Sequence, residues 1–354
     1  MEKDSPIKKI KILLLPGAFH SPASRFRIWN LAKPLESEGY DVTVRVPFPD
    51  RENKGKNNKV VFWNKIFPRL SSILRYISIK IILRDTHLFD YVITNRDIIP
   101  EFKIRNLENK LIAKGGKLIF DFDDAIHLGK RKEKLDLFLP NVHAIVAGNE
   151  MLAKYALTQN KSVYIIPTVV DTEYYRPVNE REPGILRIGW SGSEGTNIQC
   201  LPLLKKPLEE LAKSIDFEFI VISNPDPQIN WNGVKYRFLP WCADTEVKDV
   251  QLFDIGLMPL SDNEFERGKC GAKAIQYMGV GIPALVSPIG VNEQIVTHGI
   301  DGFHCRTNND WFTYLEKLSM NSQMRIEMGR NAYKKVLSEY SVIKAVELWK
   351  KILV

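Results

Sequence analysis

The segment Glu266-Arg-Gly-Lys-Cys-Gly-Ala-Lys-Ala-Ile-Gln-Tyr-Met-Gly-Val-Gly-Ile-Pro-Ala-Leu-Val-Ser-Pro-Ile-Gly290 decides the architecture of this chain. It reads as a glycine-bearing loop, a short helix beginning near Cys270 or Gly271, a stop at Gly279 to Gly281, and a buried strand ending in Ser-Pro. A helix delivered directly into an apolar strand is the crossover unit of a parallel sheet.

The same rhythm extends to both ends of the chain. Short runs rich in Ile, Val and Leu, apolar on both faces, suit strands covered by helices on both sides. In the first half they are Ile10 to Leu15, Val42 to Val46, Tyr91 to Thr94, Lys117 to Asp121, Ala144 to Ala147 and Val163 to Ile166; in the second, Leu186 to Trp190, Phe217 to Ser223, Lys235 to Leu239, Ile255 to Pro259 and Pro283 to Ser287. Each half opens on a strand running into a glycine loop, Leu15-Pro-Gly17-Ala18 and Trp190-Ser-Gly192-Ser193-Glu-Gly195, followed by a helix. The reading is an α/β protein of two doubly wound Rossmann-like domains, 1–173 and 185–338. Residues 174–184, with Arg176-Pro177 and Glu182-Pro183-Gly184, form the linker, and 339–354 form a helix packing back on the first domain. Ligands of such sheets bind beyond the carboxyl ends of the strands, so the sequence predicts a cleft between the two glycine loops.

Composition fits that size. The 354 residues, 44% hydrophobic and 26% charged, exclude a disordered, collagen-like or small disulfide-stapled protein. Four cysteines (Cys200, Cys242, Cys270 and Cys305) without a CxxC pair suit a reducing compartment and no zinc site. The run Ile10 to Leu15 is too short for a signal peptide, and Arg75 and Lys80 interrupt the apolar stretch Ile73 to Leu83. A cytoplasmic protein with no spanning segment is therefore expected. Charge is uneven: residues 51–84 hold nine Lys or Arg against Glu52 alone, equal to the whole chain's excess of +8. Apolar residues recur among these bases at helical spacing, so the segment reads either as a solvated basic helix or as one lying peripherally on an anionic membrane surface. No pattern of a nucleic-acid-binding module accompanies the charge, and no nucleic acid is expected.

Three constellations carry chemistry. Gly192 and Ser193 stand where a strand hands over to a helix, and backbone amides there can bind phosphate. Lys269 and Lys273 bracket a second such helix start, and together the two suit a diphosphate. Lys117-Leu-Ile-Phe-Asp121-Phe-Asp123-Asp124-Ala-Ile-His127 ends a strand with three carboxylates and a histidine. Asp121 reads as a strand-end cap, whereas Asp123, Asp124 and His127 fall in the following loop. Arg25 and Arg27, after the Gly17 loop, offer bidentate pairing to an anion.

These residues resemble the GT-B glycosyltransferases of group one, family four. Lys269 to Ser287 is similar to their donor-binding signature, Ser24-Arg-Phe-Arg27 to their acceptor-side loop, and Ile166-Pro-Thr-Val-Val-Asp-Thr-Glu-Tyr-Tyr-Arg-Pro177 to their domain junction. Phe253 to Leu260 and Gly290 to Phe303 resemble the flanking segments. The resemblance implies retaining transfer of a sugar from a nucleotide diphosphate sugar, as co-substrate, to a hydroxyl of a glycan or lipid-linked acceptor in cell-surface polysaccharide synthesis, with no required cofactor or metal. It places Gly192, Ser193, Lys269, Cys270, Gly271, Ala272 and Lys273 at the donor, Gly17, Arg25, Arg27 and His127 at the acceptor, and Asp123 and Asp124 at acceptor binding or general-base catalysis. The family pattern has two glutamates at the spacing where this chain has Gly268 and Gln276. Gln276 is then expected at ribose hydroxyls, and Glu266 as the carboxylate for a sugar hydroxyl. That departure also admits a catalytically inactive nucleotide-sugar-binding module; a sugar-nucleotide epimerase or hydrolase on the same fold is the other alternative.

Overall fold

Runs of Ile, Leu and Val with no polar face become strands because only a sheet covered on both sides leaves no solvent side to alternate toward. The computed structural model describes residues 9–18, 21–47, 68–96, 107–114, 116–178 and 184–354. It divides into two compact units, Met1–Pro167 with Ala345–Val354, and Thr168–Lys344.

The first unit holds strands Lys11–Leu15 (β1), Asp41–Val44 (β2), Tyr91–Asn95 (β3), Lys117–Phe122 (β4), Ala144–Ala147 (β5) and Val163–Ile165 (β6). They form one parallel sheet in the order β2-β1-β3-β4-β5-β6. Because β2 and β3 lie on opposite sides of β1, the winding reverses there, which leaves room beyond the carboxyl ends of β1 and β3. The C-terminal residues belong to this unit: the Tyr40 and Tyr91 hydroxyls donate to the Leu353 and Val354 carbonyls, and Lys350 pairs with Glu38.

The second unit holds Leu186–Ser191 (β7), Phe217–Ser223 (β8), Lys235–Pro240 (β9), Ile255–Met258 (β10), Ala284–Val286 (β11) and Gly302–His304 (β12). Its parallel order, β12-β11-β10-β7-β8-β9, puts the reversal between β7 and β10. Two glycines in these central strands decide how the helices sit. A methyl on Gly189 would come within 2.1 Å of the Phe253 ring, and one on Gly256 within 2.4 Å of the Tyr277 ring. The rings therefore lie directly on the sheet. The Tyr277 hydroxyl then accepts the Ser191 amide at 2.9 Å, tying the helix Ala272–Gly279 to the end of β7. Burial pushes the Tyr277 phenol well above its ordinary range, so it stays protonated.

Strand β12 is the element sequence reading passes over, because three residues beside a glycine-rich turn carry no periodicity. The division between units falls after Pro167, ahead of the 174–184 segment. Tyr175, 1% exposed, is packed within the second unit and hydrogen-bonded to Glu246, which ties that stretch to the second sheet. Residues 179–183 of the expected linker lie outside the described residues. The last helix, Val342–Trp349, carries the chain from the second unit back to the first.

Gly256→Ala is expected to destabilise the fold by about 1–3 kcal/mol through overpacking against Tyr277. Gly195→Ala, where an added methyl meets nothing within 4 Å, should instead match or exceed the parent. Urea unfolding of both variants checks the contrast.

Candidate functional site

In the second unit the geometry begins at Gly271. Its φ of +66° is left-handed, and a side chain there would collide with the Ile295 Cδ1 at 2.0 Å, so glycine alone serves. This turn starts the helix Ala272–Gly279, with Gly271 as a cap that has no side chain of its own. Cys270 is buried and, with Gly271 and Ala272, forms the backbone of the helix opening. Asn292 lies beside it, its Nδ2 donating to the Ser287 carbonyl at 3.1 Å.

Two lysines flank this opening, each held by a buried acid. The Lys269 ammonium lies 2.6 Å from the Glu266 carboxylate, which is fully buried while the lysine keeps a solvent edge. Lys273 donates to Gln276 Oε1 at 3.0 Å and stands 3.9 Å from Glu246 Oε1. Gln276 Nε2 donates to the Tyr175 hydroxyl (2.7 Å), which donates to Glu246 Oε2 (3.0 Å), and Trp241 Nε1 donates to Glu246 Oε1 (3.0 Å). Unpaired, a buried carboxylate would cost several kcal/mol. The ring of partners makes Glu246 tolerable and fixes the direction of the Lys273 stem.

Two residues expected at the donor have internal partners in this structure. Gln276 is fully buried, its amide oxygen accepting from Lys273 and its nitrogen donating to the Tyr175 hydroxyl. Glu266 is buried beside Lys269, its carboxylate 2.6 Å from the ammonium. Glu246 was missed altogether. Its signal was its place four residues before Val250 and seven before Phe253, on the apolar face of its helix, where an acid needs partners.

At the first glycine loop, the Gly192 amide donates to the Ile222 carbonyl at 3.0 Å and the Ser193 amide to Thr196 Oγ1 at 2.8 Å. These two amides are engaged internally. A methyl on Gly192 would meet the Trp190 ring at 2.6 Å, so glycine is required there by the chain's own packing.

In the first unit, buried charge again organises the strand ends. Arg27 and Asp121 form an ion pair with side chains 2% and 0% exposed. The Arg27 Nε donates to both carboxylate oxygens (3.2 and 3.1 Å), its Nη1 to the Ile166 carbonyl (2.6 Å), and Asn95 Nδ2 to Asp121 Oδ2 (2.9 Å). Burial pushes the Asp121 carboxyl up, against the lowering effect of the guanidinium. Arg27 thus ties β4 to the end of β6 from within the core, with Asp121 as its buried partner.

Arg96 is the second missed residue. It follows β3 with φ at +61°, donates its amide to the Asp121 carbonyl at 2.7 Å, and grips Asp123 (3.0 and 2.8 Å) and Asp124 (2.5 Å). The parallel register pairing Asn95 with Asp121 brings Arg96 alongside the acids that follow β4. Asp123 and Asp124 are therefore together at the strand end and charge-compensated. His127 stacks on Tyr155 at 4.1 Å and 10°. The Tyr155 hydroxyl donates to Asp136, and burial with that carboxylate beside it raises the phenol. The Gly17 carbonyl accepts from Arg75, and Arg25 lies half-buried with its guanidinium 5.2 Å from the Phe26 ring centre. Among the described residues, no group of three His, Cys, Asp or Glu is arranged to hold a metal ion.

No protein-family model and no curated protein matches the chain. Solved structures do. A HepE protein of Anabaena in complex with UDP and glucose is 13% identical, with a TM-score of 0.63 over 97% of this chain and 99% of that one. A sucrose-phosphate synthase of Thermosynechococcus elongatus is 11% identical, with a TM-score of 0.65 over 97% and 99%. A glycosyltransferase of Rickettsia africae is 14% identical, with a TM-score of 0.67 over 98% and 99%. The two-unit parallel α/β fold of this chain is the GT-B fold of these proteins.

Replacing Arg27 by Met should cost about 3–5 kcal/mol by stranding the Asp121 carboxylate. The folded-state pKa of Asp121 lies above its unfolded value, so folding takes up a proton. The penalty should shrink as pH falls into the carboxylate range and grow as pH rises above it. Denaturant titrations of both proteins across that range measure it.

Proposed function

We propose that the protein is a glycosyltransferase that moves a sugar from a nucleotide diphosphate sugar to a hydroxyl of a glycan or lipid-linked acceptor. The observation that carries this reading is the helix opening at Gly271 with Lys269 and Lys273 each braced by a buried acid. Transfer breaks the bond between the anomeric carbon and the diphosphate oxygen and joins that carbon to the acceptor oxygen, whose proton leaves. Negative charge gathers on the departing diphosphate. Fixed amide dipoles and two pre-positioned cations stabilise that charge without reorganising, which is where catalytic advantage lies. The lysines supply this stabilisation directly, in support of a metal-independent reaction.

UDP and glucose in the HepE complex and the sucrose-phosphate synthase fold agree with a nucleotide-sugar donor. Acceptor binding is assigned to the first unit, at the Gly17 loop with Arg25 and at Asp123 and Asp124, whose carboxylates, steadied by Arg96, orient an acceptor hydroxyl. Retention at the anomeric carbon and a role in surface polysaccharide synthesis follow the sequence resemblance.

A second reading, a nucleotide-sugar-binding module without turnover, is favoured by one observation: Gly268 carries no carboxylate and Gln276 is buried, so neither position offers the acid of the related pattern.

Thermal-shift measurements with UDP, GDP and ADP, then with their sugars, test the reading. A saturating ligand at 100 times its Kd should stabilise the protein by about 2.7 kcal/mol. Lys273→Ala should weaken diphosphate binding about tenfold or more, the worth of a charged hydrogen bond. Stabilisation by none of the diphosphates sinks the proposal. Stabilisation without transfer to any glycan or lipid-linked acceptor supports the binding module, and donor turnover with no acceptor supports an epimerase or hydrolase.

A further inference from the structure

The helix Pro68–Ile82 is apolar on two opposite sides. Its inner side is occupied: Ile79 and Ile82 are buried, and Arg75, 3% exposed, reaches inward to the Gly17 carbonyl. Its outer side carries Leu70, Ile73, Leu74, Ile77 and Ile81. Steps of three and four residues align all five in one stripe along the helix. Each is between 41% and 54% exposed. One exposed leucine needs no explanation, but a contiguous row on a single helix does. Beside the row, Arg45 and Val46 close an apolar groove of about 500 Å³ against Leu74, Ile77 and Ile81.

The border of this stripe is cationic. Lys80 and Arg84 are exposed, and no Asp or Glu occurs from Asn53 to Arg84. The first acid beyond, Asp85, is paired with Arg45 at 2.9 Å. We propose that this face docks the protein on an anionic lipid bilayer, the five side chains entering the acyl boundary while Lys80 and Arg84 meet headgroup phosphates. At 15 residues the helix is shorter than the roughly 20 needed to span the hydrocarbon, so it lies in the interface plane. Charge selects the lipid over other covers. A second copy would set Lys80 and Arg84 against the same bases, and residues 53–67 of the chain bring four lysines and no acid.

The test is co-sedimentation of the full chain with vesicles of phosphatidylcholine containing phosphatidylglycerol, against phosphatidylcholine alone. The mixed vesicles should capture the protein more strongly, and added salt should weaken capture. The double substitution Ile73→Ser with Ile77→Ser should lower vesicle affinity about tenfold, since two half-exposed isoleucines no longer leave water. It should leave the thermal midpoint in place. Lys80→Gln should lower affinity about fivefold. The proposal is overturned if neither vesicle binds the protein, if the double variant binds as the parent does, or if sedimentation velocity without lipid shows a dimer that the double variant dissolves. Vesicle capture requires neither donor nor turnover, so its failure is separate from failure of the transferase reading.

Discussion

An aromatic ring laid flat on a glycine strand is the constraint on which the second unit depends. Tyr277 can reach Ser191 only because Gly256 has no side chain to lift its ring off β10. That contact fixes the pitch of the helix Ala272–Gly279, and with it the positions of Gly271 at its start and of Lys273 and Gln276 along it. Phe253 does the same over Gly189, so both central strands present smooth backbone at the point where the winding reverses. The helix opening is therefore set by packing that has no part in ligand chemistry. This is how a loop can be held rigidly enough to act as a preorganised donor of amides.

Buried acids take up the next level of control. Each lysine at the opening has a carboxylate below it with no exposure of its own, Glu266 beneath Lys269 and Glu246 near Lys273. A long lysine side chain is otherwise free to sweep many rotamers, and ordering it on binding would cost affinity. Paying that entropy during folding leaves the ammonium groups ready. In the first unit the arrangement is inverted: the acids Asp123 and Asp124 are the partly exposed groups, and Arg96 is the brace. A left-handed backbone at Arg96 is strained for a side-chain-bearing residue, at a cost of order 1–3 kcal/mol. Two ion pairs and the amide bond to the Asp121 carbonyl hold it there.

Much of the fold was legible because parallel strands announce themselves as apolar runs. Eleven of the twelve strands among the described residues fall on runs readable in the sequence, and of these twelve only the three-residue Gly302–His304 lacks a pattern of its own. For the candidate site, residue types were legible and their internal partners were not. Glycines were readable where backbone must come close, as at Gly271 and Gly192, since no other residue fits. Polar residues were harder. Arg27, Asp121, Glu266 and Gln276 have the chemistry of ligand-binding groups, yet the same chemistry satisfies a partner in the core, and sequence spacing does not say which will be found. Arg27 meets Asp121 across 94 positions, and Gln276 meets Tyr175 across 101. Such pairings follow from sheet order and helix placement rather than from any local motif.

The internal pairing of Gln276 and Glu266 bears on specificity under the proposed donor reading. With both residues held by internal partners, that reading leaves the amides of the helix opening and two cations to meet the diphosphate. Amides and cations recognise phosphate charge but distinguish poorly among sugars and bases, whose identity is read by paired donors and acceptors. On the proposed reading, discrimination resides in side chains that meet the sugar and base farther from the diphosphate, while the opening supplies the part of binding that any nucleotide diphosphate shares. The region most tightly fixed by core packing would then do the work that is common to all donors, and the surface left free of that packing can vary without disturbing it.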